Sequence, residues 1–161
     1  MCSWTAAPPP ATSTARSSPP RDSPYNRRYQ TNDWKRRSEW LVRASGNEYT
    51  IVRPGWFGYG SPDERRLVFL QGDGRRTSTP EDGAVSRDQI ARTLVDALGC
   101  DAATGKTFEL IAERNEEQAD LTPLFAALEP DASSRLDGVR DEDNFPLSDQ
   151  PQRVPADLRH I

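Results

Sequence analysis

The feature that most constrains this chain is a short run of β-branched and aromatic residues from Tyr49 to Val52, almost free of polar interruption. This composition is typical of a strand that is covered on both faces, as strands in parallel sheets are. Pro54 and Gly55 end the strand abruptly, because proline cannot donate to the ladder and glycine favours a turn. The run therefore requires neighbouring strands and covering helices.

A helix is predicted immediately before this strand. Asn32 or Asp33 is placed to cap a helix that begins at Trp34 and runs to Ser45, and Gly46 supplies a left-handed stop. The apolar residues Trp34, Trp40, Leu41 and Ala44 lie near one side, and the basic residues Lys35, Arg36, Arg37 and Arg43 lie largely elsewhere. A charge run of this kind usually forms a solvated face.

The clearest helix signal lies further along the chain. Ser86 and Gln89 have the form of a capping box, and apolar residues then recur at helical spacing until Gly99 ends the helix. The apolar residues of this helix are Ile90, Ala91, Leu94, Val95 and Leu98. Their spacing predicts one buried face.

A second strand is predicted from Thr107 to Ala112, with a shorter strand from Leu67 to Leu70 and a short helix from Leu121 to Leu128. The order strand, helix, strand predicts that Tyr49 to Val52 and Thr107 to Ala112 run parallel in one sheet, joined by a right-handed connection. Two parallel strands do not make a domain. The sequence therefore favours an α/β fold of which only part is encoded here.

Both ends of the chain have the composition of disordered segments. Only 34% of the 161 residues are hydrophobic, so the core must be local. Residues 1–24 are dominated by Ala, Pro, Ser and Thr and cannot bury enough apolar area to offset the entropy lost on ordering. Residues 130–161 are acidic, proline-spotted and aperiodic, and we expect them to be mostly disordered. This leaves 25–129 as the predicted ordered region.

Charge and cysteine content exclude several functional classes. The formal net charge of -4 argues against a nucleic-acid binder, and no apolar run is long enough to span a membrane.

Cys2 and Cys100 are too far apart to indicate a disulfide framework or a metal site, so a reduced, cytoplasmic location is the default expectation. The Ser-, Thr- and Arg-containing N-terminus leaves an organellar transit peptide as the alternative. The single histidine, His160, is next to the last residue, in the segment expected to be disordered. The sequence therefore excludes a Ser-His-Asp or Cys-His catalytic site and a His-rich metal site.

One local patch keeps a nucleic-acid interpretation open. Basic and aromatic residues interleave before and within the first predicted helix, as they do in proteins that follow a nucleic-acid backbone. The patch comprises Arg27, Arg28, Lys35, Arg36, Arg37 and Arg43 with Tyr25, Tyr29, Trp34 and Trp40. Several of these aromatic residues are needed for packing, which disfavours this interpretation.

Three segments together carry a resemblance to a known family: Trp34 to Glu39, Leu41 to Gly46, and Tyr49 to Phe57. They contain a Lys and a Glu early on a helix, then Ser-Gly, then a strand of the form Tyr-Thr-Ile-Val-Arg-Pro-Gly. This pattern is similar to the second half of the atypical short-chain dehydrogenase/reductases, in the NAD(P)H-binding, NmrA-like branch. The similarity covers roughly residues 25–128.

The resemblance implies a Rossmann-like, doubly wound parallel sheet, NAD(P)H as the cofactor and a small-molecule substrate. In the complete fold, a Gly-rich turn after the first strand holds the cofactor pyrophosphate with backbone N–H groups and a helix dipole. No GxGxxG or GxxGxxG run occurs in this sequence. We therefore expect the chain to hold the C-terminal part of such a domain without its N-terminal dinucleotide-binding half.

The resemblance also places Lys35 where the active-site helix of the family carries a lysine that hydrogen-bonds the nicotinamide ribose and lowers the pKa of a nearby acid. Lys35 is thus the candidate catalytic and cofactor-binding residue, and the alternative is that it belongs to a solvated basic face. The usual tyrosine acid would stand four residues earlier, where this chain has Thr31, whereas Tyr29 and Tyr25 lie six and ten residues before Lys35. This departure favours the atypical branch or a chain without catalysis.

The end of the first strand supplies the other candidate residues. By resemblance, the tripeptide Arg53-Pro54-Gly55 lies where the backbone passes close to the nicotinamide, which makes it a candidate cofactor-binding segment. Three aromatic residues follow and would line the substrate pocket: Trp56, Phe57 and Tyr59. The alternative is that these aromatic residues pack in the core against the helix at Trp40.

Three functions remain open at this point. The chain could be part of an NAD(P)H-dependent oxidoreductase, a non-catalytic module that senses a dinucleotide or regulates, or a fragment that never folds alone because its sheet edge would be apolar and prone to aggregate. The sequence does not decide whether the chain is an enzyme, because it lacks both the Gly-rich loop and the Tyr–Lys pair.

Overall fold

The computed structural model describes residues 2–4, 28, 30–72, 74, 75 and 79–161. Within these residues a six-stranded mixed sheet is flanked by helices. The strands are β1 (Cys2–Trp4), β2 (Thr50–Pro54), β3 (Trp56–Phe57), β4 (Arg66–Leu70), β5 (Ala84–Val85) and β6 (Lys106–Glu113). The α-helices are α1 (Thr31–Ala44), α2 (Arg87–Leu98), α3 (Thr122–Ala127) and α4 (Arg153–Arg159). Each helix in the described ranges is too short or too polar to cross a lipid bilayer.

The centre of the sheet is β6, which pairs in parallel with β2 and antiparallel with β4. Thr50 lies opposite Lys106, and Pro54 lies opposite Leu110. β1 pairs in parallel with the other side of β2, and the order along the sheet is β1-β2-β6-β5-β3. The predicted parallel pairing of the two main strands is confirmed, and the α/β class with a mostly parallel, partly Rossmann-like sheet is confirmed with it.

Both faces of β2 and β6 are covered, as their composition predicts. Val52 and Phe108 are fully buried in the main core, which also contains Phe125 of α3. Because side chains alternate across a strand, Arg53 and Thr107 point to the opposite face. There they hydrogen-bond to side chains of α1. Helix α1 therefore covers one face, and α2 and α3 cover the other.

The local signals at the helix ends are largely confirmed. Gly46 has a left-handed φ of 69°, as the predicted stop requires, although α1 begins at Thr31 rather than at Trp34. Ser86 and Gln89 form the predicted capping box at the start of α2. The boundaries differ by a few residues, as is usual for helix ends.

The predicted apolar face of α2 is confirmed only in part: Ile90 and Leu94 pack against the main core, but the fully buried positions are others. Its buried residues are Gln89, Thr93 and Ala97, whereas Val95 is 67% exposed and Leu98 is 75% exposed. The physical reason is hydrogen bonding: the Gln89 amide donates to the Arg65 carbonyl oxygen at 2.8 Å and accepts from the Ser86 backbone at 3.1 Å. A polar side chain can be buried in the core when its donor and acceptor atoms are hydrogen-bonded.

The outer edge of β4 is closed by a side chain. The Leu67 N–H donates to Gln118 Oε1 at 3.0 Å, and Gln118 Nε2 donates to the Leu67 carbonyl oxygen at 2.7 Å. The amide thus makes the pair of hydrogen bonds that a further strand would make. Such blocking of an edge disfavours pairing with other chains.

The predicted disordered segment 1–24 is ordered in part. Cys2–Trp4 forms β1 and pairs with Thr50 to Val52, because the backbone of β2 offers a hydrogen-bonding edge that needs no particular side chains. The remainder of that segment lies outside the described residues. So do Tyr25 and Tyr29, the two tyrosines nearest to Lys35 on its N-terminal side.

The C-terminal segment, residues 131–161, is packed rather than mostly disordered as expected. Phe145 and Val154 are each 3% exposed and form a second small core with Trp40 of α1. The Trp40 and Phe145 rings lie 5.2 Å apart between centroids. The segment is ordered because α1 offers it an apolar surface and basic partners, and the ordered region therefore continues beyond residue 129.

This packing predicts that Phe145→Ala lowers the free energy of unfolding by about 3–5 kcal/mol, because the substitution leaves a cavity beneath Trp40. Urea unfolding followed by tryptophan fluorescence measures the change. Leu147→Ala is the matched control: Leu147 is 37% exposed, so its truncation should change stability by no more than about 0.5 kcal/mol. Equal effects of the two substitutions would contradict a packed C-terminal segment.

Candidate functional site

The candidate site lies where β2 ends, at the carboxyl edge of the parallel strands. In open α/β sheets, ligands bind in the crevice outside this edge. After Pro54 the chain passes from β6 to the segment before β5: the Gly55 N–H donates to the Leu110 carbonyl oxygen at 2.8 Å, and the Trp56 N–H donates to the Gly83 carbonyl oxygen at 3.0 Å. The turn is thus fixed by backbone hydrogen bonds.

Gly55 is required at this turn by close packing. A Cβ at position 55 would lie 2.5 Å from the Gly83 carbonyl oxygen and 3.1 Å from Ile111 Cγ2. The first distance is shorter than real Cβ atoms tolerate, and the contact is with backbone, which cannot swing away. The contact between two strands of the sheet therefore accounts for this glycine without any ligand.

The Arg53 side chain is the centre of a buried ion-pair network. It donates to Glu39 from Nε at 3.2 Å and from Nη2 at 2.8 Å. It also donates to Asp141 from Nη1 at 2.8 Å and from Nη2 at 2.7 Å. Glu109, opposite Arg53 in the sheet, lies 3.5 Å from Nη1. The guanidinium therefore joins α1, β2 and the C-terminal segment, and its donors are used within the protein.

Electrostatics hold both members of the Arg53–Asp141 pair charged. Burial alone would lower the pKa of Arg53, but the charges and hydrogen bonds of Glu39 and Asp141 raise it well above its ordinary value. Burial would raise the pKa of Asp141, but the hydrogen bond and charge of Arg53 lower it below its ordinary value. Asp141 therefore ionises more readily in the folded chain than in the unfolded chain.

A second network of similar kind lies next to the first. Arg43 donates to Thr107 Oγ1 at 2.6 Å and lies 3.2 Å from Asp131. Asp131 also accepts from the Val139 N–H at 2.8 Å and from the Tyr49 hydroxyl at 3.2 Å. Burial and the Asp131 carboxylate raise the pKa of Tyr49 to about 12, so its hydroxyl stays protonated at neutral pH.

The basic residues of α1 do not form a solvated face. Arg37 is 5% exposed and donates to Gln150 Oε1. Arg36 donates to Asp137 at 2.8 Å, and Asp137 also accepts from Trp40 Nε1 at 2.8 Å. With Arg43, these residues are occupied by the C-terminal segment. Because Arg36, Arg37 and Arg43 are paired within the chain, most of the described basic residues of the predicted nucleic-acid patch are not available to bind phosphates.

Lys35 is half-buried on α1, one turn before Glu39. Burial lowers the pKa of Lys35 below its ordinary value, and the Glu39 carboxylate partly opposes that shift. Because Glu39 also holds Arg53, the candidate lysine is connected electrostatically to the end of β2. The alternative of a fully solvated Lys35 does not fit this environment.

The three aromatic residues after the turn have different environments. Trp56 is 5% exposed, and its ring lies 5.7 Å from that of Tyr59 in an edge-to-face arrangement. Tyr59 is 52% exposed, and Phe57 lies beneath the Arg87 guanidinium. Among the described residues, the ring that packs near Trp40 is Phe145, which does not support the alternative that Trp56, Phe57 and Tyr59 pack against Trp40.

Lys35 and the residues from Arg53 to Tyr59 remain predicted site residues. Their contacts were not predicted: Glu39 was cited only for the resemblance, and Asp141 and Arg87 were not singled out. The spacing of Lys35, Glu39 and Arg43 at intervals of four is the one local signal that indicates a charged helix stripe. Across the described residues, no group of three or more His, Cys, Asp or Glu side chains is arranged to hold a metal ion.

Comparison with known proteins assigns the chain to a family. Residues 11–101, more than half of the chain, match the profile of the NAD(P)H-binding family. The chain belongs to this family. The match confirms the resemblance found in the sequence to short-chain dehydrogenase/reductase-like, NAD(P)-binding proteins, and it includes α1, β2, the turn and α2.

Three curated relatives that match this chain are much longer than it is. Sanguinarine reductase of Eschscholzia californica is 30% identical over 95 residues, which are 59% of this chain and 34% of that protein. An uncharacterised chloroplastic protein of Arabidopsis thaliana is 31% identical over 94 residues, 58% of this chain and 31% of that protein. The chloroplastic Arabidopsis thaliana protein High Chlorophyll Fluorescence Phenotype 173 is 36% identical over 112 residues, 69% of this chain and 18% of that protein. The chain thus spans about a third or less of these relatives.

The buried network predicts a specific acid sensitivity. Because the folded-state pKa of Asp141 is depressed, its contribution to stability is fully present above the unfolded value of about 4 and is lost as the pH falls through the folded value. At pH 7, Asp141→Asn should lower the free energy of unfolding by about 1.5–3 kcal/mol, as loss of a charged hydrogen-bond partner does.

Urea unfolding of the wild type and the variant at several pH values from 7 down to 2.5 measures this contribution. The difference between them should shrink below about pH 4. Asp143→Asn, which removes an exposed carboxylate nearby, serves as the control and should show no such trend. A constant difference for Asp141→Asn at every pH would contradict the depressed pKa.

Proposed function

We propose that this chain forms the nicotinamide- and substrate-facing part of an NAD(P)H-dependent oxidoreductase of the atypical short-chain dehydrogenase/reductase type. The observation that carries the proposal is the family match over residues 11–101, which includes the turn at the carboxyl edge of β2. The dinucleotide-binding half of the domain is proposed to lie outside this chain. The share of the relatives' length that the chain covers supports this division.

Lys35 is the proposed catalytic and cofactor-orienting residue. Its ammonium group would hydrogen-bond the ribose next to the nicotinamide, and its charge would lower the pKa of a neighbouring acid. Lys35 is half-buried, and the Glu39 carboxylate favours its charged form, which supports a positioning role. When bound, NAD(P)H supplies the hydride, and the protein supplies orientation and electrostatics.

The Arg53 side chain has a different proposed role from the one expected. Its hydrogen bonds to Glu39 and Asp141 commit the guanidinium to the protein, so we propose that it positions Glu39, the carboxylate that acts on Lys35, rather than contacting the cofactor. Pro54 and Gly55 would contribute through their backbone, at the edge where the nicotinamide approaches. Trp56, Phe57 and Tyr59 would form the substrate side.

A dinucleotide-sensing or regulatory module is the second candidate function. Thr31 stands where a catalytic reductase of the family usually has its tyrosine acid, and this substitution is the observation that favours it. The two functions share the cofactor and differ in turnover. Hydride transfer measured as a change in NAD(P)H absorbance separates them once binding has been established.

We also propose a reduced, cytoplasmic location, supported by the free thiol of Cys100. The chloroplastic relatives favour an organelle instead. Microscopy of the chain carrying a C-terminal fluorescent tag decides between these locations.

The proposal predicts that the reading frames upstream of Met1 encode a Gly-rich turn between a strand and a helix. In the extended protein, Lys35→Ala should lower kcat/KM for hydride transfer about 100-fold or more, because a positioned charge is lost. Lys35→Arg should restore part of the activity. Arg66→Ala, at an exposed position of β4, is the control and should leave the rate unchanged.

Two results would decide against the catalytic proposal. An extended protein that binds NADPH without oxidising it in the presence of any carbonyl substrate tested would identify the sensing module. Equal kcat/KM values for hydride transfer in the wild type and Lys35→Ala would show that Lys35 has no catalytic role.

A further inference from the structure

Arg87 occupies an unusual position beside the aromatic loop. It is the first residue of α2, and its Cζ atom lies 5.1 Å from the centroid of the Phe57 ring. Gly58, which has a left-handed φ of 87°, lies next to it: a Cβ at that position would be 3.5 Å from Arg87 Nη1, an ordinary van der Waals distance. The guanidinium is therefore held over β3 and its loop.

The charge of Arg87 is not neutralised within the described part of the chain, where its guanidinium makes no ion pair or hydrogen bond. The adjacent carboxylate, Asp88, is committed to Arg65 at 2.8 Å. The hydrogen bond from Arg65 lowers the pKa of Asp88 to about 2. A cation in the first turn of a helix is also disfavoured by the helix dipole. Arg87 is therefore an exposed cation at a position where the helix dipole disfavours positive charge.

Tyr59 presents an aromatic surface from the same loop. Tyr59 is 52% exposed, and its ring meets the buried Trp56 in an edge-to-face arrangement, 5.7 Å away between centroids. Gly58 joins Tyr59 to Phe57, the residue over whose ring the Arg87 guanidinium lies. A half-exposed ring beside a buried aromatic neighbour offers apolar area to a planar ligand.

We propose that Arg87 and Tyr59 form a binding subsite for a planar aromatic molecule that carries a carboxylate. A guanidinium stacked on one aromatic ring keeps its N–H donors in the plane and free at the edge, where they match the two oxygens of a carboxylate. Tyr59 then contacts the aromatic part. The assignment of this molecule as the substrate rests on the proposed function, whereas its binding does not require the cofactor.

The test uses the whole 161-residue chain and a matched pair of probes, 2-naphthoate and its neutral analogue 2-naphthamide, with calorimetric titration. The wild type should bind the carboxylate about tenfold or more tightly than the amide, because a charge-assisted bidentate pair is lost with the amide. Arg87→Ala and Arg87→Gln should abolish this preference, and Arg87→Lys should restore only part of it. Tyr59→Ala should weaken both probes equally.

Arg66→Ala is the control for loss of one exposed positive charge and should keep the preference for the carboxylate. The proposal is overturned if neither probe binds saturably, if the two bind equally, or if Arg87→Ala behaves like Arg66→Ala. Adenosine 2′-monophosphate tests another source of the anion. If it binds more tightly than 2-naphthoate and depends on Arg87, the subsite recognises a cofactor phosphate and the proposed carboxylate substrate is wrong.

These outcomes are independent of the hydride-transfer assay. If the preference for the carboxylate depends on Arg87 but the extended protein never oxidises NADPH, the subsite is supported and the oxidoreductase proposal is wrong. If hydride transfer is unaffected by Arg87→Ala and the two probes bind equally, the oxidoreductase proposal is supported and the subsite is wrong.

Discussion

The structure depends above all on the buried contact between the Arg53 guanidinium and the carboxylates of Glu39 and Asp141. These three side chains belong to β2, α1 and the C-terminal segment, so the contact joins a sheet strand to both elements that cover its face. Removing charges from water is costly, and the cost is offset only when every partner is in place with good hydrogen-bond geometry. The contact therefore specifies one arrangement of the three elements, and with it the position of the turn at Gly55.

The same contact relates the fold to the proposed chemistry. Lys35 lies one turn from Glu39, and the aromatic loop begins two residues after Pro54, so a displacement of Arg53 would disturb both sides of the candidate site. In this family the cofactor is proposed to approach the carboxyl edge of β2, while its phosphates are held by a segment that this sequence does not contain. The Arg53 network keeps that edge assembled independently of a ligand, because the hydrogen bonds of the guanidinium are made within the chain.

The parts of the structure that were predictable have local signals. The strand from Tyr49 to Val52, its parallel partner and the capping box at Ser86 follow from composition and spacing over a few residues. The packing of the C-terminal segment was missed because Arg36 and Asp137 are 101 residues apart; taken separately, a basic helix and an acidic tail each indicate solvation, and only together do they indicate a contact. The burial of Gln89 on α2 was missed for a related reason, since its amide is held by hydrogen bonds that the spacing of apolar residues does not indicate.

The central claim is that this chain presents the substrate side of an NAD(P)H-binding domain and receives the cofactor through a segment that it lacks. Calorimetric titration of the isolated 161-residue chain with NADPH tests it most directly. The account predicts no saturation at micromolar concentrations, because no Gly-rich turn is present to hold the pyrophosphate. A well-folded chain that binds NADPH with a micromolar Kd would contradict it.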